Sequence, residues 1–445
     1  MRTFIGMRVL ALFALAFLAV SCGRSLPTAA TPNVRHEPGE GGDPFAVAGL
    51  ENQVVVTIAP GVNPTDFAAQ YGATIVDMDP SGRTASLRPL PGTITPTALM
   101  GALTIDGRCE TAEPNGWFQP AESRQQSFAF DDGIGSEASY SVQPATDILH
   151  LVHAHDVATG KGVKVAIIDT GCDLKHPDLF RNIVGGWDFV DNDADPTDVK
   201  DNIDNDRNGA IDEAFGHGTH VAGIIHLVAP DAQLLIARVL DADGRGNIVD
   251  VAAGVRWAVQ QGAKVINLSL GMSTRSGDAL QNALEEAAMR GVVIVSAAGN
   301  QGSDIVDFPG RSSSTICVAA VDAAANGATF SSFNHSDVAL SAPGVAVRST
   351  YPGGGYRLWT GTSMSAPFVA GAVALLAEKH PDWAIDAMEG RLTNTVGKFK
   401  SLPPTITDPR DFGRGVLDVG AALDPDYVFV PGANQDPPGE TIRPH

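Results

Sequence analysis

Three short segments place an aspartate, a histidine and a serine at the boundaries of predicted strands and helices. The apolar run Val163–Ile168 leads directly into Asp169. A carboxylate at the end of a buried strand is desolvated and rigidly held, as an orienting carboxylate must be. Glycines on both sides of His217 allow a helix to begin tightly beside it. Ser363 opens another predicted helix, whose positive end favours a developing oxyanion.

Each segment taken alone also has an ordinary structural explanation. Asp169 could be a helix cap, His217 a hydrogen-bonded polar residue, and Ser363 an N-cap, a position that serine often fills. All three occur in one chain, in the order Asp, His, Ser, and each lies at an element boundary. This combination favours a catalytic constellation.

The surrounding pattern predicts the elements that must position these residues. Continuous apolar strands alternate with helices, which is typical of an α/β fold with a parallel sheet covered by helices on both faces. Active sites of such sheets lie at the carboxyl ends of the strands. The predicted strands are Val163–Ile168, Leu234–Val239, Val265–Leu268, Val292–Ala297 and Ile316–Ala320, and the helices are Thr219–Leu227, Val249–Gln260, Ala279–Met289 and Met364–Lys379.

The three segments resemble the motifs of subtilisin-like serine proteases, the subtilases, in the order known for that family. The resemblance covers roughly residues 149–423. It implies a subtilisin-like fold and a serine endopeptidase that hydrolyses proteins through an acyl-enzyme. The residues that carry it are Asp169-Thr170-Gly171, Gly216-His217-Gly218-Thr219-His220-Val221-Ala222-Gly223 and Gly361-Thr362-Ser363-Met364-Ser365-Ala366-Pro367.

The resemblance also implies a role for each site residue. Asp169 would orient His217, which would accept the proton of Ser363 as that serine attacks the scissile carbonyl. Asn300, which otherwise reads as a turn residue after Gly299, would donate to the oxyanion together with the backbone N–H of Ser363. Two segments would bind an extended protein or peptide substrate through its main chain, namely Ser269-Leu270-Gly271 and Ala297-Ala298-Gly299.

An acidic insert separates the aspartate and histidine motifs. Residues 191–213 contain nine acids against Lys200 and Arg207, a charge of −7 in 23 residues. Within this insert, Asp204, Asp206, Asn208 and Asp212 have the spacing of the first part of an EF-hand calcium loop. Phe215 stands where the bidentate glutamate belongs, so this is not an EF-hand. We expect a structural Ca²⁺ at these four residues; the alternative is a solvated acidic loop.

The overall composition excludes some classes of partner. The chain has 445 residues, 44% hydrophobic and 18% charged, with a net charge of −21. A chain this acidic is not expected to bind nucleic acid or an anionic membrane, both of which attract basic patches. Cys109, Cys172 and Cys317 lack the spacing of metal ligands, and could be small buried residues or one disulfide with a free thiol.

The N-terminus has the pattern of a secretory signal. Arg2 and Arg8 precede a 12-residue apolar run ending at Val20, which is too short to span a bilayer. The ending at Cys22 resembles a bacterial lipobox, in which the cysteine is lipidated; the alternative is an ordinary signal peptide that ends near a cysteine. Either reading predicts a secreted or cell-envelope protein.

The chain divides by composition into six parts. These are a signal peptide (1–22), a linker (23–44), a small α+β unit (45–106), a polar connector (107–145), the catalytic domain (146–425) and a Pro-rich tail (426–445). The small unit resembles subtilase propeptides, which implies an autoprocessed zymogen inhibited by its own propeptide and cut between roughly Gln119 and Gln143. We expect a monomer. The competing function is a catalytically silent surface protein that binds a partner with the protease fold, but no triad residue is missing.

Overall fold

The computed structural model describes residues 49–124, 127, 129–273, 277–424 and 426. The predicted signal peptide with Cys22, the linker and nearly all of the Pro-rich tail lie outside the described residues. Within the described part, no helix has the length and apolar character needed to cross a membrane.

Residues 49–114 form an N-terminal unit of four antiparallel strands and two helices. Polar caps begin both helices, because the side chains of Asn63 and Thr95 each accept a backbone N–H three residues on, next to a proline in the first turn. The sheet order is β2-β3-β1-β4. The elements are β1 (Val54–Ile58), α1 (Pro64–Gln70), β2 (Ala73–Met78), β3 (Thr84–Pro89), α2 (Pro96–Thr104) and β4 (Cys109–Pro114).

Strand β4 extends this unit beyond residue 106, into the segment that composition assigned to the connector. Its sequence Cys109-Glu-Thr-Ala-Glu-Pro114 is polar, and most of its side chains are partly exposed. Among the described strands it pairs with β1 alone, as an edge strand. An edge strand needs few apolar residues, so the sequence of β4 has no apolar pattern from which a strand could be predicted.

Short elements follow, up to the first strand of the catalytic domain. The sequence predicts no helix or strand at Tyr140. This residue is buried, and its hydroxyl donates to the carbonyl oxygen of Gly223 at 2.6 Å. The connector is therefore attached to the catalytic domain along much of its length. The elements are β5 (Trp117–Phe118), α3 (Ala121–Arg124), α4 (Glu137–Ser141), α5 (Pro144–Ile148) and α6 (Leu151–Val157).

The catalytic domain is built on a seven-stranded sheet with the order β13-β12-β11-β10-β6-β8-β7, and all its pairings are parallel. Its strands are β6 (Lys164–Asp169), β7 (Ile183–Asp188), β8 (Gln233–Arg238), β10 (Val265–Leu268), β11 (Val293–Ala297), β12 (Ile316–Val321) and β13 (Val338–Pro343). Outside this sheet lie β9 (Gly246–Asn247), which pairs with β5, and a hairpin of β14 (Val347–Tyr351) and β15 (Gly355–Trp359).

Helices cover both faces of the sheet. Along β6, Val165 and Ile167 pack in one core with α7 and α10, whereas Ala166 and Ile168 pack in the opposite core with α8 and α9. The predicted α/β fold is thus confirmed. The helices are α7 (His217–Val228), α8 (Ile248–Gln260), α9 (Asp278–Met289), α10 (Thr362–Lys379), α11 (Ile385–Asn394), a 3₁₀ turn (Pro409–Phe412) and α12 (Val419–Leu423).

The N-terminal unit packs against α8 and α9. The Glu113 carboxylate accepts the backbone N–H groups of Asp278 and Ala279 at 2.9 and 2.8 Å, so it caps the N-terminus of α9. On α8, the Arg256 guanidinium lies 3.5 Å from Asp79 and donates to Thr84 at 2.5 Å. An acid at a helix N-terminus is favourable because the helix dipole is positive there.

The three described cysteines are all unpaired. Cys172 and Cys317 are buried and Cys109 is partly exposed. Of the two possibilities that the sequence leaves open, the structure shows unpaired cysteines.

Candidate active site

Asp169 and His217 form a buried hydrogen-bonded pair. Asp169 is the last residue of β6 and His217 the first of α7, and His217 Nδ1 lies 2.7 Å from Asp169 Oδ1. Gly216 begins the helix with φ of 90°, a conformation that favours glycine. A Cβ at Gly218 would lie 2.1 Å from the carbonyl oxygen of Gly171. The glycines around the histidine therefore allow the helix to approach the strand end closely.

A second carboxylate, Asp198, holds the strand end and the helix start together. Its Oδ2 accepts from Thr170 Oγ1 at 3.0 Å and from the backbone N–H of Gly216 at 2.8 Å. Thr170 Oγ1 in turn accepts the N–H of Gly218 at 3.0 Å. Burial, with a contribution from Asp169, raises the pKa of Asp198 to about 7. Asp198 thus connects Thr170, which follows Asp169, to Gly216, which precedes His217.

Ser363 lies in the first turn of α10 and is fully buried. Its Oγ donates to Glu122 Oε2 at 2.5 Å and also lies 3.1 Å from the carbonyl oxygen of Ser269. His217 Nε2 lies 3.6 Å from the same oxygen, Glu122 Oε2, and has no hydrogen-bond partner among the described residues. The structure therefore brings the predicted serine and histidine next to the same carboxylate oxygen.

Asn300 has its amide group fixed by its neighbours. Its Oδ1 accepts the N–H and the hydroxyl of Thr362, both at 2.9 Å, which leaves Nδ2 free to donate into the site. Nδ2 donates to Glu122 Oε1 at 3.0 Å, and the backbone N–H of Ser363 donates to the same oxygen at 3.2 Å. The two predicted oxyanion donors therefore converge on a single negatively charged oxygen.

Glu122, which comes from the connector, is the residue that sequence reasoning missed at this site. Its side chain is fully buried among Ser363, His217 and Asn300. It lies in a polar segment without periodicity, 241 residues before Ser363. No local pattern in the sequence could have placed it here.

The two carboxylates of the site favour the charged form of His217, and His217 favours the charged form of Glu122. Burial by itself would lower the pKa of His217, but the carboxylates of Asp169 and Glu122 outweigh burial and raise the pKa to about 10. Burial by itself would raise the pKa of Glu122, but His217, with hydrogen bonds from Ser363 and Asn300, holds it below the usual value. An imidazolium between two carboxylates is the favoured charge state of this arrangement.

The predicted substrate-aligning segment holds the connector in an extended conformation. The backbones of Gly271 and Gln119 exchange two hydrogen bonds, at 2.9 and 3.1 Å. Leu270 is buried in the core and Ser269 Oγ donates to the carbonyl oxygen of Ser363 at 2.8 Å. The described arrangement is the main-chain pairing expected for a bound peptide.

Aromatic contacts secure the same stretch of the connector. β5 pairs antiparallel with β9, with Trp117 opposite Asn247. The Phe118 ring is fully buried, with its centroid 6.2 Å from that of Phe308, and the Arg245 guanidinium lies 3.9 Å over the Trp117 ring. The connector therefore lies between β9 and Gly271 as a middle strand.

The second predicted substrate segment follows β11. Ala297 and Ala298 are buried, and Gly299 adopts φ of 103°. Its N–H donates to Thr362 Oγ1 at 3.1 Å, so this segment is joined to the start of α10. Ala298 packs in a separate small core with Val306.

The acidic insert brings together a slightly different set of acids from the predicted one. Carboxylate oxygens of Asp204, Asp206 and Asp243 lie within 4.8 Å of one another. Asp243 comes from outside the insert, after β8, and had no sequence signal. Asp212 instead accepts the N–H groups of Asp201 and Asn202, both at 3.0 Å, with Oδ1.

Two further side chains border this acidic group. Asn208 donates through Nδ2 to Asp206 Oδ2 (2.8 Å) and to Glu213 Oε1 (2.5 Å). Glu213 is buried, and its Oε2 has no hydrogen-bond partner among the described residues. Burial, together with the charges of Asp206 and Asp243, raises the pKa of Glu213 to about 7.

The arrangement has the parts needed for acyl transfer. A serine hydroxyl lies near an imidazole that is oriented by a buried aspartate, and two N–H donors converge beside the serine. An extended chain can pair with Gly271 on its way to the serine. These are the elements of nucleophile, base and oxyanion hole.

The catalytic part is similar in sequence to known proteases. The family model described as Subtilase family matches residues 160–416. Thermitase from Thermoactinomyces vulgaris is 44% identical over 236 residues, which cover 51% of this chain and 78% of thermitase. Subtilisin NAT from Bacillus subtilis subsp. natto is 37% identical over 306 residues, which cover 66% of this chain and 74% of that protein.

The fold is similar to that of a solved protease. Fervidolysin from Fervidobacterium pennivorans, described as a keratinolytic enzyme related to subtilisin, matches with a TM-score of 0.67 at 26% sequence identity. The match covers 84% of this chain and 60% of fervidolysin. It therefore includes more of this chain than residues 160–416.

Proposed function

This chain belongs to the subtilase family of serine endopeptidases, and on that premise we propose that it cuts proteins with the triad Asp169, His217 and Ser363. We propose further that it is made as a secreted zymogen that processes its own chain. The observation that carries the catalytic proposal is the convergence of Asn300 Nδ2 and the Ser363 N–H on one anionic oxygen beside the Ser363 hydroxyl.

The proposed mechanism follows from these contacts once the site is open to substrate. Ser363 Oγ attacks the scissile carbonyl carbon while His217 Nε2 takes the hydroxyl proton. The Asp169 carboxylate, at 2.7 Å from Nδ1, keeps the imidazole oriented and stabilises it when it becomes charged. The carbonyl oxygen becomes an oxyanion in the position that Glu122 Oε1 now fills, where Asn300 and the Ser363 N–H stabilise it.

His217 then acts as an acid and a base in turn. It gives the proton to the leaving amine, which breaks the C–N bond and leaves an acyl-enzyme on Ser363. A water molecule attacks this ester and gives a proton to His217, which returns it to Ser363 Oγ. The net reaction consumes one water for each peptide bond.

The substrate is proposed to bind as an extended strand. The main chain of the connector pairs with Gly271 and with β9, and these backbone groups can hold any peptide irrespective of its side chains. Protein and peptide substrates are therefore expected, with Ser269-Leu270-Gly271 and Ala297-Ala298-Gly299 lining the binding cleft.

The zymogen proposal is supported by the contacts of the N-terminal unit and the connector. The N-terminal unit caps α9 through Glu113 and pairs Arg256 with Asp79. The connector fills the cleft as far as Ser363. In this state substrate cannot reach the nucleophile, so the chain has to be cut and released before it acts on other proteins.

Export is proposed from the first 22 residues, which have the pattern of a secretory signal. If Cys22 is lipidated, the anchor belongs to the N-terminal part. Cutting in the connector would then free the catalytic domain, unless the two parts stay bound.

A structural Ca²⁺ is proposed at the acidic insert. The donor set fits this cation, because Ca²⁺ prefers carboxylate and carbonyl oxygens and three carboxylates lie within 4.8 Å of one another. The buried Glu213 Oε2 adds an oxygen without a hydrogen-bond partner among the described residues. Asp204, Asp206 and Asp243 would hold the ion, whose charge of +2 would offset part of the charge of −7 on the insert.

Casein hydrolysis by the Ser363→Ala variant tests the catalytic proposal. We expect activity to fall by at least about 10³-fold, because the acyl-enzyme can no longer form. The matched control is Ser365→Ala, which removes a hydroxyl without a partner among the described residues from the same turn of α10 and should remain active. Full activity of Ser363→Ala would contradict the nucleophile assignment.

A further inference from the structure

The connector enters the active site in a register that two pairings define. Gln119 exchanges two backbone hydrogen bonds with Gly271, and the preceding strand β5 pairs antiparallel with β9. In an antiparallel pair, two residues forward on one strand correspond to two residues back on the other. Ala121 therefore falls opposite Ser269.

Ser269 is the member of its segment that contacts the nucleophile. Ser363 Oγ lies 3.1 Å from the carbonyl oxygen of Ser269, and Ser269 Oγ donates to the carbonyl oxygen of Ser363 at 2.8 Å. A connector that stayed extended in this register would bring the carbonyl carbon of Ala121 to Ser363. The peptide bond between Ala121 and Glu122 is then the bond in line for attack.

The backbone does not continue as a strand in the uncut chain. Helix α3 begins at Ala121, and the Glu122 side chain points into the oxyanion hole. Its carboxylate accepts from both oxyanion donors with Oε1 and from the Ser363 hydroxyl with Oε2. The hole is thus filled by a side-chain carboxylate, where the Ala121 carbonyl oxygen would have to lie for cleavage.

We propose that Ala121–Glu122 is the bond at which the protease cuts its own chain, and that the Glu122 carboxylate is a latch that delays this cut by occupying the oxyanion hole. This inference rests on the proposed function, because it requires an active Ser363. Beyond the proposed function, the bond that is cut is identified as Ala121–Glu122, and the group that delays the cut as the Glu122 carboxylate.

The cleavage step is ordinary peptide hydrolysis. Ser363 Oγ forms a bond to the Ala121 carbonyl carbon, and its proton passes to His217. The C–N bond to Glu122 breaks as His217 protonates the Glu122 nitrogen. Water then releases the Ala121 carboxylate from Ser363, and its proton returns through His217 to the serine. Glu122 becomes the first residue of the mature chain.

The latch depends on the charge of Glu122. A carboxylate resembles the oxyanion for which the two donors are arranged, so it binds the hole more strongly than a neutral amide would. Its second oxygen also holds the Ser363 hydroxyl away from its role as nucleophile. Opening requires Glu122 to leave the hole and the backbone of α3 to extend.

Maturation of the full chain tests both parts of the inference. Purified full-length protein is incubated, the loss of the uncut band is timed, and the new N-terminus is read by mass spectrometry. We expect the wild-type chain to yield a fragment that begins at Glu122. Glu122→Gln and Glu122→Ala should mature roughly 10- to 100-fold faster, because the charge-assisted hydrogen bonds are lost.

Glu137→Gln is the matched control, since Glu137 is an exposed acid in the same connector; it should mature at the wild-type rate. A mature N-terminus at any other residue overturns the assignment of the bond. Unchanged rates in both Glu122 variants overturn the latch. If Ser363→Ala matures as fast as wild type, the proposed function has failed instead.

A second readout separates the latch from an effect of residue 122 on the leaving group. A fluorophosphonate reacts with an activated serine and needs no peptide bond to be cut. Labelling of the uncut band should be roughly 10- to 100-fold faster in Glu122→Gln than in wild type, because the hydroxyl and the hole are freed. Equal labelling of the two uncut chains would contradict the latch.

Discussion

At the scale of single residues, the site is arranged around one carboxylate that the chain itself supplies. Glu122 contacts Asn300 and Ser363 directly and faces His217 at 3.6 Å. Its oxygens show where negative charge is stabilised, which is the property that defines an oxyanion hole. In the proposed mechanism, this carboxylate therefore marks the position of the oxyanion.

Removing the Glu122 charge should lower the pKa of His217. The two carboxylates of Asp169 and Glu122 outweigh burial and raise that pKa to about 10, so loss of one carboxylate weakens the effect. The measurement is an NMR titration of the His217 ring in uncut Ser363→Ala protein, with and without Glu122→Gln. Identical titrations would contradict the electrostatic role of Glu122.

The same shift predicts the pH dependence of stability. A histidine whose pKa is raised on folding stabilises the folded chain fully below its unfolded pKa, about 6.5, and this stabilisation is lost as pH rises. In the uncut chain the loss should extend to about pH 10. With Glu122→Gln it should be complete at lower pH, which thermal unfolding of the same two proteins will show.

Four candidate site residues could be predicted because each lies in a short local motif: Asp169, His217, Asn300 and Ser363. Glu122 and Asp243 could not, because only the fold brings them to their sites. Glu122 is 241 residues from Ser363 along the chain, and Asp243 reaches Asp204 and Asp206 from outside the acidic insert. Contacts of this kind leave no periodicity to read.

At the scale of elements, the strands that could be predicted from the sequence are those whose residues are almost all buried and apolar. Strands β6, β8, β10, β11 and β12 are almost wholly buried and so read as continuous apolar runs. The edge strand β7 contains Gly185 and Gly186 and is partly exposed, and it gives no such signal. The other edge strand, β13, is buried, but the sequence does not predict it, because its buried Ser341, which donates to the carbonyl oxygen of Phe412, interrupts the apolar run.

Removing calcium from the acidic insert should lower the temperature at which the chain unfolds. Binding at a free Ca²⁺ concentration 100 times the dissociation constant stabilises the folded state by about 2.7 kcal/mol. Thermal unfolding of the Ser363→Ala chain, which cannot digest itself, should therefore show a Tm several degrees lower in EDTA than in CaCl₂.

Two variants locate this calcium effect. Asp243→Asn should reduce the difference between EDTA and CaCl₂, because Asp243 belongs to the acidic group of three. Asp195→Asn makes the same change of charge at an exposed position of the insert and should leave the difference unchanged. A Tm that does not respond to EDTA in the parent protein would contradict the proposed site.

At the scale of the whole molecule, three distant parts of the chain meet at the proposed catalytic centre. The connector supplies Glu122, β6 and α7 supply the Asp169–His217 pair, and α10 supplies Ser363. The N-terminal unit, which precedes the connector, packs on α8 and α9. Of the net charge of −21, −7 lies in the acidic insert between Asp169 and His217, so a third of it is carried by 23 residues within the catalytic domain.

The most direct test of the account is to find which residue a fluorophosphonate modifies in the mature enzyme. After labelling and digestion, tandem mass spectrometry should place the adduct on Ser363, and loss of casein hydrolysis should parallel its formation. A mature enzyme that hydrolyses casein while Ser363 stays unmodified, or that carries its adduct on another residue, would contradict the assignment of Ser363 as the nucleophile.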